Sequence, residues 1–188
     1  MYLVLESIES RAKAPMTNDE KEIPMPRESL QTLYEHELKD LYSAEKQILE
    51  ALPKMINAAS HPDLKASLTE HKAITEKQVD RLDLIYKELG KQPENEKCKG
   101  MEGLLKEGDK AIEEFSDSDV LDAAIIAAAQ RVEHYEMAGY GCARTYANML
   151  GFSDQAELLQ VTLDEEGEAD HRLTDLAEEC VNIDAMKV

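Results

Sequence analysis

Apolar residues recur every three or four positions along most of the chain, which is the spacing of one face of an α-helix. The pattern predicts a first long helix from about residue 27 to residue 52, where Pro53 either kinks it or ends it. Further long helices are predicted over residues 60–90, 117–150 and 153–181, with caps or glycines at their ends. The chain is therefore expected to be all-α.

The lengths of the connections predict how these helices are arranged. Two short links, at residues 53–61 and 151–153, flank one long connection that contains a short helix over residues 101–115. Short links place successive helices side by side and antiparallel, whereas a long connection can cross a bundle from end to end. We therefore expect a four-helix bundle with a long crossover that contains one short helix.

The first 26 residues differ from the rest of the chain. The stretch RAKAPMTNDEKEIPMP mixes three prolines with charged residues and has no helical period. Such a composition is typical of a flexible segment. The predicted organisation is an N-terminal extension over residues 1–26 and one bundle domain over residues 27–188.

The third long helix indicates an additional contact. Its segment DAAIIAAAQRVEHYEMAGYGCA carries small or apolar residues on nearly every side. A helix of this kind is buried on most of its surface, either by its neighbours or by a second subunit. A homodimer is the expected assembly.

Charge excludes several classes of function. The 188 residues include 21 Lys and Arg against 40 Asp and Glu, for a net charge of −19. This acidity argues against binding to nucleic acid or to an anionic membrane.

The sequence also predicts where the protein is located. No apolar run approaches the ~20 residues of a membrane span, and the opening residues do not follow the order of a signal peptide. Three widely spaced cysteines fit free thiols in the cytoplasm.

Charged residues interrupt the apolar faces of all four long helices. At about 100° per residue, each helix directs a carboxylate or an imidazole toward the bundle axis. The inward-facing residues are Glu45, His71, Glu136 and Glu166, with Glu133 and Asp170 one turn away. A buried carboxylate without a partner costs free energy. Few lysines or arginines are placed to supply a partner, and Arg131 is the best placed of them. Taken singly, Glu133 is expected to be solvated, but convergence on four helices favours a pair of iron or manganese ions.

One sequence motif is predicted to be irrelevant to such a centre. Ligands in ferritin-like metal sites often follow a Glu-x-x-His spacing, and this chain has that spacing at Glu168 and His171. The helical wheel directs both residues toward solvent. A metal centre here must therefore use a different ligand pattern.

Four segments resemble a known family: DLYSAEKQILEALPKM, KCKGMEGLLKEG, LDAAIIAAAQRVEHYEMAGYG and TLDEEGEADHRLTDLA. They are similar to the YciE/YciF family of bacterial ferritin-like proteins, and the likeness covers about residues 28–180. The resemblance implies a ferritin-like four-helix bundle, usually dimeric, with ties to bacterial stress responses. The metal positions that it implies are Glu45, His71, Glu133 or Glu136, Glu166 and Asp170, with His134 as a further candidate.

Two functional hypotheses follow. In the first, a di-iron or manganese carboxylate centre reacts with oxygen or peroxide in stress protection. Glu136 and Glu166 bridge or clamp the metals, Glu45 and Asp170 are terminal ligands and His71 is the nitrogen ligand. In the second, a non-catalytic stress protein keeps the ferritin-like fold and acts through its dimer or its surface. The residues leave open whether the protein is an enzyme.

Overall fold

A computed structural model describes residues 29–94, 96–116 and 118–187, and every regular element in these residues is helical. The elements are α1 (Leu30–Ala58), α2 (Pro62–Glu88), α3 (Lys99–Glu114), α4 (Leu121–Leu150), α5 (Ser153–Leu176), a π-helical segment (Ala177–Val181) and α6 (Asn182–Ala185). The extension predicted over residues 1–26 lies outside the described residues and stays a prediction.

Local chemistry explains where the helices begin and end. The Ser29 hydroxyl accepts a hydrogen bond from the Thr32 amide at 3.1 Å and caps α1. Pro62 occupies the first turn of α2, where its missing N–H is not needed. Gly90 and Gly151, with φ of 67° and 82°, follow α2 and α4 in the left-handed conformation that glycine tolerates best.

Pro53 does not end α1, which continues to Ala58. The Pro53 side chain is exposed to solvent. The backbone carbonyl that loses its donor at this position therefore lies on the wet side of the helix rather than in the core. Of the two alternatives that the sequence left open, the helix ending at Pro53 was wrong.

The helix pairings confirm the predicted bundle. Neighbouring pairs are α1–α2, α4–α5, α1–α4 and α2–α5, while α3 packs on α1 and α4. Ser60 meets Asp122 at one end of the α1–α4 pair, whereas Leu41 lies beside Gly139 further along, so these helices are antiparallel. Consequently α2 ends and α4 begins at opposite ends of the bundle, and the connection that contains α3 crosses its length.

The buried interior has three layers. The first apolar cluster occupies one end of the bundle and includes Leu52, Leu64 and Ile125. The second apolar cluster occupies the other end and includes Tyr34 and Leu82. Between them, all four long helices contribute buried polar side chains, and this central polar layer contains Glu45, His71, Thr75, Gln78, Glu133, Glu136, Thr162 and Glu166.

The predicted burial of α4 holds for most of its surface but not for one stripe. Ala127, Ala138 and Cys142 are exposed, and Met149 is 72% exposed. Among the described residues, no helix is both long and apolar enough to cross a membrane.

Candidate metal centre

Four ligand-type side chains from three helices meet in the central polar layer. His71 comes from α2, Glu133 and Glu136 from α4, and Glu166 from α5. One ligand atom from each of the four lies within 4.8 Å of the others, and all four side chains are buried. We refer to these four residues as the His71 cluster.

Helical spacing accounts for the contribution of α4. Glu133 and Glu136 are three residues apart and therefore project from neighbouring positions on one helix face. Glu133 is 2% exposed and lies with its Oε1 3.5 Å from His71 Nε2. The expectation that Glu133 taken singly is solvated was therefore wrong, because α2 and α5 cover the flank of α4 on which it sits.

Glu45 joins the same layer from α1 and is fully buried. Its Oε1 accepts a short hydrogen bond from the Tyr140 hydroxyl, while its Oε2 has no hydrogen-bond partner. Glu45 is not one of the four residues of the His71 cluster, but its charge raises the pKa of Glu136. It therefore lies at the edge of the cluster with one oxygen available.

Positive charge in this region is scarce and is already engaged. Arg81 forms a bidentate ion pair with Glu165, which is half-buried at the edge of the layer. Its two guanidinium nitrogens lie 2.6 and 2.7 Å from the Glu165 carboxylate oxygens. Arg131, the predicted internal cation, is exposed and donates to the Ala127 carbonyl at 2.7 Å. The prediction that Arg131 is an internal cation was wrong, because this residue lies on the exposed stripe of α4.

Burial shifts the protonation equilibria of the layer toward neutral forms. Desolvation raises the pKa of Glu45, Glu133 and Glu136 well above the ordinary value, and the Glu166 carboxylate raises all three further. Desolvation also lowers the pKa of His71. His71 is therefore a neutral imidazole at physiological pH, which is the form that binds a metal.

The layer contains an unusual concentration of unpaired polar atoms. In the described part of the chain, nine buried side-chain nitrogen and oxygen atoms lack a hydrogen-bond partner. Seven of them belong to this layer: Glu45 Oε2, His71 Nδ1 and Nε2, Gln78 Oε1, Glu133 Oε2, Glu136 Oε1 and Glu166 Oε2. Each unpaired buried group costs about 1–3 kcal/mol. Carboxylate oxygens with one imidazole are a donor set that suits iron or manganese, so these residues fit such an ion.

Two of the residues proposed from the sequence lie elsewhere. Asp170 is half-buried, and its Oδ1 accepts from Gln130 Nε2 at 3.0 Å and lies 3.3 Å from His134 Nε2. His134 is exposed. The structure therefore does not bring Asp170 or His134 into the His71 cluster, because both lie toward the outer side of the α4–α5 seam.

The Glu-x-x-His pair on α5 lies on the surface, as the helical wheel predicted. Glu168 and His171 are both exposed, and His171 lies 3.7 Å from Asp175 on its own helix. The spacing alone would have selected the wrong face of the helix.

Two further side chains donate hydrogen bonds to carboxylates of the layer. Gln78 donates a short hydrogen bond to Glu166, and Tyr140 donates to Glu45. A signal for both exists in the sequence, since Gln78 follows His71 by two helical turns and Tyr140 follows Glu136 by one. Spacing cannot show which carboxylate each side chain reaches across the bundle.

Comparisons with known proteins agree with the fold. Residues 29–186 match a family described as a domain of unknown function, DUF892. Protein YciF of Escherichia coli (strain K12) is 42% identical over 159 residues, which cover 84% of this chain and 96% of YciF. The likeness to the YciE/YciF family predicted from the sequence is confirmed.

Solved structures show the same similarity. The crystal structure of the E. coli stress protein YciF matches with a TM-score of 0.79 and 42% identity, covering 82% of this chain and 98% of that one. YcfI from Rhodopseudomonas palustris matches with a TM-score of 0.76 and 44% identity, covering 80% and 96%. A protein from Xanthomonas campestris, with a TM-score of 0.65 and 20% identity over 82% and 95% of the two chains, shares the fold alone.

Proposed function

The chain belongs to the DUF892 family, and on that premise we propose that it is a di-metal carboxylate protein of the bacterial stress response. The metal is a pair of iron ions, with manganese as the alternative, and the co-reactant is oxygen or peroxide. The similarity to YciF, which is described as a stress protein, supports the physiological setting.

The observation that carries the metal proposal is the set of unpaired donor atoms in the His71 cluster and on Glu45. Four buried carboxylates and one neutral imidazole share a layer in which Arg81, whose charge acts on Glu45, is already paired with Glu165. A bound cation satisfies the free oxygens and removes the repulsion among them.

The carboxylates and the imidazole of the layer, with two of their hydrogen-bond donors, each have a proposed part in holding the ions. Glu133, Glu136 and Glu166 supply carboxylate oxygens, His71 supplies a nitrogen and Glu45 completes the set. Gln78 orients Glu166 and Tyr140 orients Glu45 through their hydrogen bonds. The side chain of Asp170 contacts Gln130 rather than the His71 cluster. Its role as a terminal ligand therefore stays a prediction from the sequence. When bound, iron supplies the electron transfer that reaction with oxygen or peroxide requires, while the apolar clusters exclude bulk water.

Metal content per chain, measured by plasma mass spectrometry, tests this proposal. The full chain is produced with iron and manganese supplied together, and we expect about two ions per chain, as in two-metal sites generally. Glu166→Ala removes a ligand at the centre of the cluster and is expected to abolish binding.

Glu168→Ala is the matched control for that variant. It removes the same side chain from the same helix two residues away, but from the exposed face. We expect it to keep the wild-type metal content. A Glu166→Ala protein that still holds two ions, or a wild-type protein that folds and takes up neither metal, would contradict the proposal.

A second candidate function is a non-catalytic stress protein that acts through a dimer or a partner. Two observations favour it: the cluster contains one imidazole, and protein donors already reach Glu45 and Glu166. The exposed stripe of α4, which includes Ala138 and Met149, is the surface that a second copy would cover. Under this alternative, Glu166→Ala leaves stress protection in a complemented deletion strain intact, whereas the metal hypothesis requires its loss.

We place the protein in the cytoplasm. Cys98, Cys142 and Cys180 are all free thiols, which suits a reducing compartment. The DUF892 match and the likeness to bacterial proteins are compatible with that location, and fractionation of cells expressing the untagged chain tests it.

A further inference from the structure

A small cavity with apolar walls lies against the His71 cluster on the side covered by α3. Its walls are aliphatic and buried: Ile48, Leu52, Leu68, Ala129 and Val132. Its outer end is formed by the half-buried Ala51, Met55 and Leu105. Its inner end is formed by His71 and Glu133. The cavity therefore lies between half-buried residues of α1 and α3 and two of the four residues of the cluster.

The size of the cavity limits what it can hold. The cavity volume is about 10 Å³, at the lower end of the ~10–15 Å³ that a single water molecule needs. A molecule of two heavy atoms suits this space after small side-chain movements, and an organic substrate does not.

The chemistry of the walls limits the occupant further. A buried water needs two to four polar partners, and cavities with aliphatic walls stay dry and bind small apolar molecules instead. Among the described residues that line the cavity, polar side chains occur only at the inner end, where His71 Nε2 lies 3.5 Å from Glu133 Oε1 and both imidazole nitrogens lack a hydrogen bond. An uncharged apolar molecule can cross the cavity without losing hydrogen bonds, whereas hydrogen peroxide must give up its own.

We propose that this cavity is the route by which dioxygen reaches the His71 cluster. The proposal rests on the proposed function, because it selects dioxygen over peroxide as the co-reactant of the same centre. It assigns the selectivity to the small volume of the cavity and to its aliphatic walls.

Dioxygen itself is the first probe, and this measurement needs no metal. The full chain, purified with a chelator, is equilibrated with increasing oxygen pressure while paramagnetic relaxation of methyl protons is recorded by NMR. We expect saturable relaxation of the Leu68 and Ala129 methyls, which are buried. Similarly buried methyls of the second apolar cluster, on Leu82, Ile85 and Leu159, are the internal control. Equal relaxation of the two sets overturns the proposal.

A variant at the outer end is the second test. Ala51→Leu narrows the cavity without removing a proposed ligand, and Ala58→Leu makes the same change two turns along α1 at a half-buried position outside it. In iron(II)-loaded protein, we expect Ala51→Leu to slow oxidation by dioxygen about tenfold, equivalent to about 1.4 kcal/mol in the barrier. Ala58→Leu should leave this rate near that of the wild type, and neither variant should change metal content.

The outcomes separate this proposal from the proposed function. An unchanged rate with dioxygen in Ala51→Leu, or equal slowing with dioxygen and with hydrogen peroxide, overturns the dioxygen route. Met55→Phe replaces Ala51→Leu if the latter does not fold. A wild-type chain that takes up no metal contradicts the proposed function, and the NMR measurement then decides by itself whether dioxygen enters the cavity.

Discussion

Two buried regions of the bundle hold carboxylates, but they surround them with different partners. At the junction of α1, α2 and α4, both oxygens of Asp122 accept hydrogen bonds: from the Ser60 amide at 2.7 Å, the Ser60 hydroxyl at 2.6 Å and the His61 amide at 2.7 Å. In the central polar layer, Glu133 and Glu136 face other carboxylates and each keeps an oxygen without a hydrogen bond. Both regions are protected from solvent.

The difference shows how the two kinds of acid contribute to the molecule. Asp122 connects the α1–α2 link to the start of α4, and its donors are backbone or side-chain groups that the fold brings to it. The polar layer has more acceptors than donors, so protons or cations must make up the difference. A carboxylate whose oxygens are both hydrogen-bonded within the fold is therefore distinguishable from one that keeps an oxygen for a proton or a cation.

Removing Asp122 should have the largest effect on stability. Asp122→Ala deletes the acceptor of three hydrogen bonds and leaves two backbone amides unpaired, so we expect a loss of about 3 kcal/mol in the free energy of unfolding. Urea denaturation of the full chain measures it, with metal content per chain recorded in parallel. A loss below about 1 kcal/mol would mean that the two regions do not differ in this way.

Added metal should stabilise the folded protein through the central polar layer and not through Asp122. A metal at one hundred times its dissociation constant stabilises the folded state by about 2.7 kcal/mol. We expect an increase of this size in the wild type and in Asp122→Ala, and none in Glu136→Gln. Thermal unfolding with and without added iron(II) under anaerobic conditions measures it. Equal stabilisation of wild type and Glu136→Gln would place the metal outside the His71 cluster.

Without metal, neutralising Glu136 should stabilise the protein. Burial raises the pKa of Glu136 well above its unfolded value of 4.5. The wild type therefore loses stability as the pH rises from about 4.5 through the raised pKa, because the folded state must release a proton that it binds more tightly than the unfolded state.

Glu136→Gln does not titrate and should lack that part of the pH dependence. We expect it to exceed the wild type by about 1 kcal/mol at neutral pH, with a smaller difference at acid pH. Chemical denaturation of chelator-treated protein across this pH range tests the sign. If the variant were less stable than the wild type at every pH, the carboxylate would be serving as a structural acid like Asp122.

The smallest effect is expected at a surface carboxylate whose pKa moves in the opposite direction. The side chains of Lys97 and Lys106 lower the pKa of Glu102 to about 2, from 4.5. The contribution of Glu102 is present above pH 4.5 and is lost as the pH falls through about 2. Glu102→Gln should therefore differ slightly from the wild type at neutral pH and converge with it in acid, which thermal unfolding at several pH values tests. Divergence in acid would show that the lysines do not act on Glu102.

Helix positions and the identity of the inward faces were predictable to a large extent. The predicted helix over residues 153–181 corresponds to α5 and the π-helical segment, and Gly151 ends α4 as expected. The continuation of α1 beyond Pro53 was not decided by the sequence, because a proline is tolerated or not according to whether the freed carbonyl faces solvent.

The membership of the candidate site was predictable in part. Glu45, His71, Glu136 and Glu166 were expected to face inward, and all four are buried. Glu133 and Asp170 were both predicted to lie one turn away from the inward-facing residues. The neighbouring helices cover Glu133, whereas Asp170 remains partly exposed beside Gln130. The two arginines differ in the same way. Arg81 lies near enough to the layer to lower the pKa of Glu45, whereas Arg131 is exposed.

Helical periodicity and capping residues were enough to predict that the chain is helical, where most helices begin and end, and which face of each points inward. These properties depend on the rotation of about 100° per residue and on capping contacts between residues that are close in the sequence. Only the packing of the helices shows that His71 meets Glu133, that Tyr140 reaches Glu45 and that an apolar cavity adjoins the cluster. Such contacts depend on the rotation, the axial offset and the side-chain rotamers of several helices at once, and helical periodicity contains no information about the distance between one helix and another.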